Sequence, residues 1–258
     1  MIGDNNITVC VSDVSGGSSN GDTAASDSKS HVVVIVVPIL VAIVVLAAII
    51  GGIFYRKRRT ALFEYVENGA LRSRLAASPA PSNWTRETLQ LAIDVIEALV
   101  YVHSFNPPLV HRDMKSRNVL ITGEMRAKLT EFGIARFRSE DKTMTTGVGT
   151  SRWLAPEVIS GSRDYDQSAD LFSFGVVLSE LDTHTVPYED AVGPYGHTLQ
   201  DGAILQMAVT GSLRPTFRSS CPPAVRELAL LCMSQDPGAR PKAPAVAYTL
   251  RTAMKSLS

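Results

Sequence analysis

The chain has 258 residues, long enough for one or two domains, and 45% of them are hydrophobic. It carries 25 basic and 25 acidic residues, and this formal net charge of zero leaves no electrostatic footprint for nucleic acid. Three cysteines, Cys10, Cys221 and Cys232, exclude a disulfide-built scaffold.

The first elements in chain order are predicted from composition. Residues 1–31 are rich in Ser, Gly, Asp, Asn and Thr and cannot bury a core, so they read as a disordered tail. Residues 32–55 contain no charge and consist mainly of Val, Ile, Leu, Ala and Gly. As a helix this run reaches roughly 36 Å, enough to cross a hydrocarbon core of about 30 Å. It is therefore predicted to be a single transmembrane helix, with 56–60 as a basic stop. Arg56-Lys57-Arg58-Arg59 on one side and four Asp with one Lys on the other orient it. The positive-inside rule puts the tail outside and 61–258 in the cytoplasm, with the plasma membrane as the expected location and the membrane as a partner. Asn6-Ile7-Thr8 is a glycosylation sequon on the outer side.

Downstream, 61–66 reads as a short strand ended by Glu67-Asn68-Gly69, and 70–77 as a short helix. In 85–104, Leu89, Ala92, Ile93, Ile96, Leu99 and Val100 recur at helical spacing, and Pro107-Pro108 ends the run. Residues 119–121 and 127–129 read as two short strands around a turn at Thr122-Gly123. The stretch 131–157 is predicted to be a loop, followed by helices over 167–181, 201–210, 223–234 and 243–254. Cys232 lies in an apolar helical run and reads as a buried structural thiol.

The chemistry is concentrated in His111-Arg112-Asp113-Met114-Lys115-Ser116-Arg117-Asn118. An Asp followed five residues later by an Asn suits phosphoryl transfer: the Asp accepts a proton from a hydroxyl nucleophile and the Asn ligates Mg²⁺. Glu131-Phe132-Gly133 and Ala155-Pro156-Glu157 follow in the order such a site requires.

This succession of motifs resembles the eukaryotic protein kinases, in their tyrosine-kinase-like Ser/Thr branch, over residues 61–254. The resemblance implies a mainly α fold: the helical C-terminal lobe of a kinase with short β-hairpins, occupying 61–258. It implies ATP and Mg²⁺ as cofactors and protein hydroxyls as substrates. Asp113 takes the position of the catalytic base, Lys115 steadies the transferring phosphoryl group, and Asn118 and Glu131 hold metal. Glu64 and Val66, within Phe63-Glu64-Tyr65-Val66, match the hinge that pairs with adenine, and Leu120 the apolar floor beneath it. Arg112 matches the residue that pairs with a phosphorylated activation segment, for which Thr143, Thr145, Thr146 and Ser151 are candidates. Thr150 matches a residue that bonds near Asp113 and Lys115. Glu157 and Arg240 match a buried ion pair, and Asp170 a helix residue that anchors the catalytic loop.

Two departures from the pattern shape the expectation. No Gly-x-Gly-x-x-Gly and no Val-Ala-x-Lys precede the hinge, so the N-terminal lobe is expected to be missing. Glu131 stands where the family has Asp, displacing a carboxylate from a metal that demands close to octahedral geometry. The sequence thus supports a membrane-anchored Ser/Thr kinase family member with impaired catalysis. The alternatives are a non-catalytic pseudokinase that scaffolds or regulates a partner kinase, and a fragment of a longer receptor kinase.

Overall fold

The computed structural model of the chain describes residues 41–46, 65–80, 83–132, 151–162 and 165–256. It divides into two units, Met1–Glu64 and Tyr65–Ser258. In the second unit the chain forms α1 (Leu71–Ala77), α2 (Arg86–His103), β1 (Val119–Ile121), β2 (Ala127–Leu129), α3 (Pro156–Ile159), α4 (Ser168–Thr183), α5 (Asp201–Val209), α6 (Pro223–Cys232) and α7 (Ala243–Lys255).

Helix α4 is the centre of this unit. Of its 16 residues only Ser168 and Thr183 are not buried. A helix that is apolar around its whole circumference can be satisfied only by neighbours on every side. Leu171, Phe174, Val177 and Leu178 supply the apolar surface, and Asp170, Glu180 and Asp182 are buried with them. Helix α6 comes closest at Gly175, where a Cβ would stand 2.9 Å from the Ala229 carbonyl oxygen and 2.7 Å from Met233 Cγ.

Helix α2 is amphipathic, with Leu89, Ala92, Ile93, Ile96 and Leu99 inside. Thr85 caps it by accepting from the N–H of Thr88 at 3.1 Å, satisfying one of the unpaired donors of the first turn. Helix α7 lays Ala243, Val246, Ala247 and Leu250 into the same core.

Strands β1 and β2 pair antiparallel in the register Val119↔Leu129, Leu120↔Lys128, Ile121↔Ala127. On the other edge of β1, Asn68 N donates to Ile121 O (3.1 Å), Ile121 N donates to Gly69 O (2.9 Å), and Ala70 bridges Leu120. The buried carboxylate of Asp94 on α2 fixes the hairpin from below. It accepts from Arg126 Nε and Nη2 at 2.8 and 2.6 Å and from the Ala127 N–H at 2.9 Å.

Several sequence expectations are corrected here. The helix predicted over 32–55 is described only at 41–46, where six residues cover about 9 Å. Among the described residues no helix is long and apolar enough to cross a membrane. Residues 32–40 and 47–55 lie outside the described ones, as do the 1–31 tail, the 56–60 basic stop and most of the 61–66 strand. Tyr65 and Val66 are not in a strand, and the pairing with β1 is made by 68–70 instead. The loop predicted over 131–157 contains a 3-10 turn at Ser151–Trp153 and the start of α3.

Candidate active site

The catalytic loop is shaped by one buried carboxylate. Asp170, in the first turn of α4, accepts from the backbone N–H of His111 (2.8 Å, Oδ2) and of Arg112 (2.9 Å, Oδ1). His103, at the end of α2, adds a third contact from Nε2 to Oδ2 at 2.8 Å. These bonds hold Arg112 at φ 69°, a left-handed conformation that costs a non-glycine residue about 1–2 kcal/mol. The reversal turns Asp113 back across the loop. His111 is 1% exposed and bridges within the loop: Nε2 donates to Thr130 O at 2.8 Å, and Nδ1 accepts from Asp113 N at 3.3 Å.

Asp113 is held from two sides. Lys115 Nζ lies 2.8 Å from both carboxylate oxygens. Asn118 Nδ2 donates to Asp113 O at 2.6 Å and to Oδ2 at 3.0 Å. The Asp113 side chain keeps 35% exposure, whereas Lys115 keeps 12%. The carboxylate therefore remains open to an incoming group, with the lysine behind it. Because the amide nitrogen of Asn118 is committed to Asp113, its carbonyl oxygen is the atom left to face a cation.

Thr130 N donates to Asn118 O at 2.9 Å, which brings Glu131 next to the loop. Glu131 is exposed and has φ 68°. Phe132 packs edge-on against His111, with centroids 4.7 Å apart. Asn118 and Glu131 offer one carboxamide and one carboxylate oxygen donor. So sparse a protein set fits Mg²⁺, which takes its remaining ligands from water and phosphate oxygens. Among the described residues no three His, Cys, Asp or Glu side chains gather as a metal centre.

The other predicted residues are distributed around this loop. Leu120 is half-buried in β1 opposite Lys128, and Val66 is half-buried, its carbonyl accepting from Gly69 N at 3.4 Å. Arg112 places its guanidinium 5.6 Å from the centroid of the Tyr165 ring. Arg240, 6% exposed, makes a two-pronged pair with Glu157 at 2.6 and 2.8 Å. It also donates to Ser234 O and Ser168 O, and stands over Phe172. Glu64, Thr143, Thr145, Thr146 and Thr150 lie outside the described residues. Ser151 opens the 3-10 turn.

The structure adds residues that sequence reading overlooked. His103 is one; its signal was a histidine one helical turn beyond the buried Leu99. Arg152 is another: it forms an ion pair with Asp201 at the start of α5 and donates to Pro187 O at 2.8 Å. A cavity of about 270 Å³ lies elsewhere, between α1 and the start of α2, and includes none of the catalytic-loop residues.

A buried helix carboxylate that sets the loop, a lysine-clamped aspartate and an asparagine bonded to the same aspartate form a loop of the protein-kinase type. The chain belongs to the protein kinase domain family, which matches residues 43–249. It is 34% identical over 178 residues to the serine/threonine/tyrosine-protein kinase HT1 of Arabidopsis thaliana, covering 69% of this chain and 43% of that protein. It is 36% identical over 190 residues to the probable serine/threonine-protein kinase kinX of Dictyostelium discoideum, covering 73% of this chain and 16% of that one. The cyclic GMP-binding protein C of the same organism is 34% identical over 184 residues, 7% of its length. The chain thus spans less than half the length of these relatives.

The family match also completes the correction of the fold class. It begins at residue 43, inside the apolar run and ahead of the hinge, so the chain from 43 onward counts as kinase-domain sequence. The family match leaves no membrane helix separate from the kinase domain, and the N-terminal lobe is not shown to be missing. Val, Ile, Leu and Ala are as much at home in a protein core as in lipid, and an apolar run does not by itself distinguish the two.

Proposed function

We propose that this chain carries protein Ser/Thr kinase activity of the tyrosine-kinase-like type, transferring a phosphoryl group from ATP to a protein hydroxyl. The observation that carries this is the clamp on Asp113, with Lys115 Nζ at 2.8 Å from both oxygens and Asn118 Nδ2 at 3.0 Å from one of them. Asp113 accepts the hydrogen bond of the substrate hydroxyl and takes its proton as the oxygen attacks. Lys115, already against that carboxylate, places its positive charge where negative charge spreads in transfer. Asn118 and Glu131 would hold Mg²⁺, and Leu120 with Glu64 and Val66 would receive the adenine. Bound MgATP supplies the γ-phosphoryl group and the cation that neutralises it. Arg112 accepts a phosphorylated residue of the 143–151 segment as a charge-assisted contact.

The test is a Mg²⁺-ATP phosphorylation assay of the full chain beside Asp113→Ala, followed by phosphoamino-acid analysis. Transfer to Ser or Thr that vanishes in the variant is expected. Equal signal from both proteins would remove Asp113 from the chemistry.

Glu131 favours a second reading, in which the chain is a pseudokinase that regulates a partner kinase. On that reading neither the natural chain nor Glu131→Asp transfers phosphate, and nucleotide affinity does not respond to Mg²⁺.

A further inference from the structure

Four charged residues stand in the loop from His111 to Asn118: Arg112, Lys115 and Arg117 against Asp113, a formal +2 in a chain whose total is zero. Two of the three cations are engaged. Lys115 is bonded to Asp113, and the Arg112 guanidinium stands over the Tyr165 ring. Arg117 is exposed and makes no hydrogen bond or ion pair with any described residue. The function proposed above gives it no role.

Its backbone is nevertheless fixed. Ser116–Asn118 is a 3-10 turn, closed by Asn118 N donating to Lys115 O at 2.9 Å and by Val119 N donating to Ser116 O. Three residues complete a turn of such a helix, so successive side chains leave in three directions. Ser116 takes the inward one and donates to the buried Glu180 at 2.7 Å. Asn118 takes the one toward Asp113 and donates to its carboxylate at 3.0 Å. The third belongs to Arg117 and opens to solvent. Helix α1 packs against this turn and adds no acid: its charges are Arg72 and Arg74, held by Glu180 and Glu87. An uncompensated cation is thus presented next to Asn118, on the turn that Asn118 ties to Asp113.

We infer that Arg117 is a specificity-determining residue, selecting protein substrates that carry an anionic side chain close in sequence to the acceptor hydroxyl. This rests on the kinase reading, in which that hydroxyl meets Asp113. A guanidinium on a pinned backbone meets a carboxylate or a phosphate in the same two-pronged geometry, so an Asp, a Glu or an already phosphorylated residue qualifies. The range is short. Three residues of extended chain cover about 10 Å, and exposed charges are screened over about 8–10 Å at physiological salt. The selected anion therefore lies within about three residues of the acceptor. An exposed pair of this kind is worth up to about fivefold in kcat/KM.

The test uses the full chain and peptides with a single unmodified Ser as acceptor, in which Asp, phosphoserine or Lys replaces Ala at each of the nearest positions on either side. At one position or more, the Asp peptide is expected to exceed its Lys counterpart by about fivefold in kcat/KM. Arg117→Glu is expected to invert that ratio, and Arg117→Lys to keep most of it. Each ratio is taken within one protein, so general damage to the loop cancels. No preference for Asp in the natural chain, or the same ratio in Arg117→Glu, overturns the inference. A phosphoserine peptide that outruns the Asp peptide supports it and marks a substrate primed by an earlier phosphorylation; equal rates support it and mark an acidic one. If the natural chain transfers no phosphate, the kinase reading falls, and fluorescence anisotropy of the same peptides decides on Arg117. Tighter binding of the Asp peptide that inverts in Arg117→Glu sustains the inference, and equal binding of Asp and Lys peptides sinks it.

Discussion

At the scale of single residues, the backbone explains a preference that side-chain chemistry alone does not. Glu131 sits at φ 68°, in the left-handed region. Asp reaches that region more readily than Glu, because its short side chain can bond locally. An Asp there would both relax the backbone and shorten the reach to a cation shared with Asn118. Glu131→Asp is therefore expected to raise Mg²⁺-dependent transfer, on the order of tenfold, as metal-site geometry typically does. A steady-state rate with varied Mg²⁺ measures it, and a rate unchanged or lowered would count against Glu131 as a ligand. Arg240 is a second residue-scale case. Its guanidinium is buried and meets Glu157, Ser234 O and Ser168 O. Arg240→Ala leaves the carboxylate and two carbonyls without their donor, and a loss of about 3–5 kcal/mol is expected in denaturant unfolding. The Glu157–Arg240 pairing was foreseen from the order of motifs, but its two carbonyl contacts were not, since they depend on where Ser234 and α4 come to rest.

Elements were legible where a period reveals them. The stripe of Leu89, Ile93, Ile96 and Leu99 marks α2, whereas its cap at Thr85 came only with the structure. The two strands fall at 119–121 and 127–129 because short apolar triplets flank a polar turn. The 3-10 turns at Ser116–Asn118, Ser151–Trp153 and Pro237–Ala239 and the four-residue α3 have no period to reveal them; they are imposed by tertiary contacts. Glu180 was missed for a related reason. An acidic residue in an apolar helix looks like an exception until Ser116 and Trp153 donate to it from elsewhere in the chain. The apolar run at 32–55 failed in the opposite way, because its length alone invited a lipid reading. Gly175 provides the element-scale prediction. With the Ala229 carbonyl 2.9 Å from where a Cβ would stand, Gly175→Ala must push α6 from α4. A destabilisation of about 1–3 kcal/mol is expected from such overpacking. Thermal unfolding monitored by circular dichroism checks it, and an unchanged midpoint would mean that the two helices slide freely.

For the described domain as a whole, buried acids set the response to pH. Burial pushes the Cys221 and Cys232 thiols and the Tyr188 phenol up to about 12. Burial also raises Glu180, against the pull of Ser116, Trp153 and Arg72. In each case the unfolded chain gives up its proton first. The stability contributed by these groups is fully present below their unfolded values and is lost as pH rises through the folded ones. For the thiols and the phenol that window runs from about 9 to about 12. Equilibrium unfolding in urea is expected to show stability falling steadily above pH 9, with Cys232→Ala flattening part of the slope. A slope identical in that variant would place the effect elsewhere. The same burial predicts that Cys232, with no exposed surface, reacts with thiol reagents only through global opening.

The three acidic residues of α4 have a consequence for the timescale of opening. The N–H groups of His111 and Arg112 donate to Asp170, and that of Arg218 donates to Asp182 at 2.6 Å. All three amides lie outside the regular elements, where exchange with solvent deuterium is ordinarily fast. Here their acceptors belong to the most deeply buried helix of the domain. These loop amides should therefore exchange as slowly as the helix interior, and Asp170→Ala should release the first two while leaving Arg218 protected. The clock of the catalytic loop is thus set by the core beneath it rather than by the water around it.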